Sequence, residues 1–88
     1  MNNNTIPTTK ISNNGTAKVS ASSGTLIYIT AVSNAHSGAT TLTFADDADL
    51  GVLELPVGYI SLNSPIQCSS FTPGNAAVSV AYYEVRRS

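Results

Sequence analysis

The densest group of chemically capable side chains is "DDADL", where Asp46, Asp47 and Asp49 place three carboxylates within four residues. Carboxylates so spaced on a loop suit Ca²⁺, and Glu54 is near enough in sequence to add another. Calcium takes six or more oxygen ligands, and the surrounding residues complete no such loop. Asp also favours turns for its own reason, because its side chain bonds to nearby backbone N–H groups. The cluster therefore reads as turn chemistry, and no metal or cofactor follows from it.

His36 is the sole histidine, and a hydrolytic triad would need it to converge with a nucleophile and an acid. Ser and Thr are plentiful, but no spacing orients a base toward any of them, so the chain reads as a non-enzyme with His36 in a turn. Cys68 alternates with Ile66 and reads as a small buried hydrophobe. As the only cysteine it excludes a disulfide within the chain, and one Cys with one His cannot complete a zinc site. Four tyrosines, Tyr28, Tyr59, Tyr82 and Tyr83, have rings suited to glycan faces and protein interfaces alike. Tyr59 and Tyr83 are the two expected outside. Arg86 and Arg87 read as a solvated end, with pairing to acidic groups of a neighbour as the alternative.

The elements that must position these residues are strands. Apolar residues recur with period two and no window carries a helical stripe, which predicts an all-β chain. Seven extended segments are expected: 17–22, 25–32, 40–46, 52–55, 58–63, 66–70 and 76–85. Pro56 ends the fourth because it cannot donate to a ladder, and Pro65 separates the fifth from the sixth. "TPGN" at Thr72 to Asn75 reads as a turn with Pro and Gly at its centre. Short strands with turns every eight to twelve residues predict a small antiparallel β-sandwich or jelly roll. The first sixteen residues hold few aliphatic side chains, so residues 1–16 read as an extended polar N-terminal arm and 17–88 as the sandwich domain.

Size and charge narrow the function classes. A core of roughly 70 residues rarely supplies more than about 3–5 kcal/mol unaided, and with disulfide and zinc excluded, oligomerisation or docking is the expected support. Four Lys or Arg stand against five Asp or Glu, a net charge of −1, which makes no basic face for nucleic acid. No basic N-terminal stretch leads into an apolar run, and no apolar run approaches the ~20 residues of a membrane helix.

"TLIYITAV", Thr25 to Val32, is apolar on both faces. Placing Leu26, Tyr28 and Val32 in the core leaves Ile27, Ile29 and Ala31 outside. Val78, Val80 and Tyr82 of the last strand read as core, which leaves Tyr83 and Val85 outside as well. If the two strands are neighbours, these residues form a second apolar surface, and such a patch on a small domain marks a partner site. Cover by the chain's own arm is the alternative.

The runs "GTLIYITAVSNAHSGATTLTFAD", "GYISLNSPIQCSSF" and "AVSVAYYE" resemble small β-sandwich virion proteins of tailed bacteriophages, over about Gly24 to Val85. The resemblance implies a capsid decoration, or cement, protein, made in the host cytoplasm and standing on the outer surface of the phage head. It implies the major capsid protein or another virion protein as partner, and a homotrimer, with no nucleic acid or membrane contact. The expected interface comprises Ile27, Ile29, Tyr59, Tyr83 and Val85, together with Asn2, Asn3, Asn4 and Ile6 of the arm. The Asp-rich loop and "VLEL" depart from the pattern. A carbohydrate- or receptor-binding module of a phage tail or fibre is the second reading.

Overall fold

The computed structural model describes residues 8–13, 15–47 and 49–87. Eight strands are present: β1 (Lys10–Ser12), β2 (Val19–Ser20), β3 (Thr25–Asn34), β4 (Thr40–Thr43), β5 (Val52–Leu55), β6 (Gly58–Cys68), β7 (Ser70–Pro73) and β8 (Val78–Arg86). They form two four-stranded antiparallel sheets, ordered β1-β8-β3-β6 and β2-β7-β4-β5. No helix occurs among the described residues.

This order is a long hairpin folded over itself. β4 pairs with β5, β3 with β6, β2 with β7 and β1 with β8, each pair enclosing the one before it. Successive pairs fall alternately in the two sheets, which is the winding of an eight-stranded jelly roll. The small β-sandwich expected from the period-two pattern is the fold observed, and Asn2, Asn3, Asn4 and Ile6 lie outside the described residues. Lys10–Ser12, within the segment read as an arm, is the edge strand β1.

The core lies between the sheets. Ile27, Ile29 and Val32 of β3 and Val78, Val80 and Tyr82 of β8 meet Leu42, Phe44, Leu55 and Phe71 of the opposite side. Phe71 packs edge-on against Tyr82, with ring centroids 5.5 Å apart. Leu42, Phe44, Val78, Val80 and Tyr82 face inward as their alternation requires.

The assignment of Ile27 and Ile29 to an outward interface is overturned, because both are fully buried in the core. The reason is a β-bulge. Ile29 pairs with Tyr82 and Ala31 with Ala81, so Thr30 has no counterpart on β8. One surplus residue shifts the phase of the strand. Odd-numbered Ile27 and Ile29 and even-numbered Val32 and Asn34 therefore all point inward, while Leu26 and Tyr28 turn out.

Two further features differ from the expected pattern. Pro65 does not end a strand: β6 runs through it, because Leu62 to Pro65 have no partner on β3 and β6 is a sheet edge. "TPGN" is not centred on Gly74. Pro73 pairs with Leu42 in β7, and the turn is made by Asn75, whose Oδ1 accepts from Ala77 N–H at 2.8 Å and whose carbonyl accepts from Val78 N–H.

Gly74 instead allows a close approach. Its N–H donates to Thr41 O at 2.8 Å, and a Cβ there would meet Thr40 Oγ1 at 2.7 Å and Thr41 O at 3.1 Å. Gly74→Ala is expected to lower stability by about 1–3 kcal/mol, the usual cost of forcing an added methyl into packed surroundings. The shift of the urea midpoint at unchanged slope measures it.

Candidate docking face

The outer face of the β1-β8-β3-β6 sheet is built by ladder register. Leu26 lies opposite Val85 and Tyr28 opposite Tyr83, so these four side chains share one end of the face. The Tyr28 and Tyr83 rings stack with centroids 5.4 Å apart and planes within 6°, an offset arrangement that aromatic quadrupoles favour. Toward the other end the two central strands carry small residues. Ala31 pairs with Ala81, and Ser33 with Ser79. The edge strands carry large ones: Ile11 of β1 opposite Ala81, and Tyr59 of β6 opposite Ser33.

The result is a hollow of about 100 Å³ with an Ala and Ser floor and walls formed by Ile11 and Tyr59. Ile11 is 64% exposed and Tyr59 72%, among the most exposed large apolar side chains described. None of the residues paired across this face carries a charge. Tyr59, Tyr83 and Val85 thus lie on one outer face. Leu26, Tyr28 and Ile11 take the places assigned to Ile27 and Ile29. A second run of exposed apolar residues, Leu50, Val52 and Val57, leads along the β5 edge to Tyr59; β5 read as an ordinary short strand, and only its place at a sheet edge distinguishes it.

The acidic residues do other work. Asp47 clamps the corner where the chain passes from β6 to β7: its Oδ2 accepts from Ser69 N–H at 2.8 Å and its Oδ1 from Ser69 Oγ at 3.2 Å. Asp46 accepts from Ser70 Oγ at 2.7 Å and pairs with Lys18 Nζ at 2.6 Å, and these two partners, Lys18 foremost, lower its pKa. Asp46, Asp47 and Asp49 do line an open cleft of about 390 Å³ with Leu50 and Gln67. Among the described residues, however, no three His, Cys, Asp or Glu side chains converge as metal ligands would.

His36 sits in the β3–β4 turn, its backbone N–H donating to Asn34 Oδ1 at 3.0 Å. Asn34 is buried, and its amide N–H₂ reaches Leu55 O, Gly38 O and Pro56 O at 3.0, 3.2 and 3.3 Å. Cys68 is buried with its thiol pKa pushed up to about 12 by burial and then by the charge of Asp47, so it stays a protonated packing residue. The C-terminal end is tied in, with Arg87 N–H donating to Gly24 O at 2.8 Å.

Glu84 was passed over in the sequence, where its one signal is an acid on the inward phase of β8 behind Val78, Val80 and Tyr82. It gathers three elements at the rim of the sandwich. Its Oε1 accepts from Thr25 Oγ1 at 2.6 Å and from Ser22 N–H at 2.8 Å, and its Oε2 pairs with Lys10 Nζ at 2.9 Å.

No protein-family model, curated protein or solved structure matches this chain.

The hydrogen bonds from Thr25, then Lys10, then Ser22 hold the Glu84 carboxyl at about 2, against an ordinary value of 4.5. A depressed folded-state pKa contributes stability that is fully present above the ordinary value and is lost as pH falls toward the folded value. Stability should therefore decline between about pH 4.5 and 2. In Glu84→Gln that part of the acid dependence should disappear, as read by denaturant melts across the pH series.

Proposed function

We propose that this domain is a non-enzymatic assembly module of the capsid decoration type, seated on a virion shell through the outer face of its β1-β8-β3-β6 sheet. The observation that carries the reading is that face itself. An antiparallel sheet with one face on the core leaves the other to water and is polar there, whereas this one presents Leu26, Tyr28, Tyr83 and Val85 at one end and Ile11 and Tyr59 around the hollow at the other. Leu26, Tyr28, Tyr83 and Val85 are half-buried, and Ile11 and Tyr59 are exposed; an uncharged face of this apolar character on a small domain fits a protein partner. Jelly rolls recur in viral capsid and lectin domains, which is support by fold analogy alone.

The expected partner is the major capsid protein or another virion protein, with a trimer as the expected assembly and the capsid surface as the location. Sugar stacking is the weaker reading. A glycan platform needs ring faces turned to solvent, and Tyr28 and Tyr83 each give one face to the other. The absence of a catalytic role is supported by the engagement of Asp46, Asp47 and Glu84 in structural hydrogen bonds.

The test is capture by empty heads of the cognate phage, with solution mass followed by light scattering. The unaltered protein should bind heads in a fixed ratio. Tyr59→Asp, at a site 72% exposed, should weaken capture at least about tenfold, some 1.4 kcal/mol, while its melting temperature stays unchanged. Undiminished capture by Tyr59→Asp would show that the shell is met by another surface.

A further inference from the structure

β1 is the least secured strand of its sheet. Its three residues meet β8 alone, Lys10 opposite Tyr82, Ile11 opposite Ala81 and Ser12 opposite Val80. Only Ser12 is buried, and Ile11 is mostly exposed, so β1 itself places little apolar side-chain surface in the core. Beyond the ladder, its one ion pair is Lys10 with Glu84, and the Lys10 side chain is half exposed. Elements held this lightly open well before a domain unfolds.

Nothing in the β1 seat requires a strand from the same chain. The three register partners and Glu84 all belong to β8, so β1 of another copy would meet the same set of groups. Exchange of an identical element between copies changes only the connection. Here β1 lies in one sheet and β2 in the other, and Gly15 between them in sequence has φ 72°, a backbone state that glycine adopts without steric cost.

We propose that β1 exchanges between copies of this chain: Lys10–Ser12 leaves its own β8 and adds to the β8 edge of a second copy, linking the two sandwiches. Strand addition of this kind uses main-chain hydrogen bonds for affinity, with the Lys10–Glu84 pair setting the register. The exchange concerns a sheet edge, so its failure and failure of the docking face are read separately.

The test is the double variant Ile11→Cys/Ala81→Cys, which places thiols at register partners while the native Cys68 stays buried. The protein is equilibrated at a series of concentrations, oxidised, and run on a non-reducing denaturing gel beside the two single variants. Exchange predicts covalent species of two or more chains whose share rises with concentration while they are the minor form, as mass action requires, and exceeds that of the single variants. Intrachain-linked monomer at every concentration would overturn the proposal. Hydrogen exchange of the unaltered protein gives a second reading. Amide protons of the β1–β8 ladder should exchange ahead of those in the β3–β8 ladder, and loss of both sets together would equally overturn it.

Discussion

The sandwich closes around one surplus residue. Thr30 has no counterpart on β8, and it lies where four residues of β6, Leu62 to Pro65, also lack partners. A bulge bends its strand and increases the local twist, and here it also changes which side chains face the core. With strict alternation, either Ile27 and Ile29 or Val32 and Asn34 would face water. With Thr30 inserted, all four enter the interior, and Thr30 Oγ1 donates to Ala81 O at 3.2 Å beside the interrupted ladder. The shift also places Ala31 on the outer face, where with Ala81 it floors the hollow between Ile11 and Tyr59.

A jelly roll passes repeatedly from one sheet to the other, and at each passage backbone groups leave a ladder and need new partners. In this chain acids and an amide supply them. Asp47 receives the Ser69 N–H at the β6–β7 corner, and Glu84 receives the Ser22 N–H before β3. Asn34 joins the end of β3 to the carbonyls of Leu55 and Pro56, where β5 ends. Among the described residues no buried side-chain polar atom is left without a partner. Five acidic residues is a small number, and three of them, Asp46, Asp47 and Glu84, hold the chain where it turns.

Much of the architecture was legible because alternation is a direct consequence of the pleat. Leu42, Phe44, Val78, Val80 and Tyr82 face inward as their spacing requires, and Cys68 is buried beside them. Where the reading of β3 failed, the cause was a change of phase with no local signature: Thr30 is an ordinary strand residue, and its surplus exists only relative to β8. Pro65 misled for a related reason, since a proline ends pairing only where pairing is required. At the candidate face, Tyr59, Tyr83 and Val85 were readable from their phase. Ile11 was not, because three residues of an otherwise polar segment carry too little pattern to mark a strand.

The irregular part of β6 bears on the company this protein can keep. A strand of eleven residues at a sheet edge offers an open row of N–H and C=O groups, and flat edges of that length invite stacking into endless ribbons. Between Ser61 and Ile66 the strand departs from its neighbour and carries Pro65, with Asn63 and Ser64 exposed beside it. That interruption divides the edge into two short, misaligned pieces. An approaching strand therefore finds no long continuous edge to extend on that side of the sandwich.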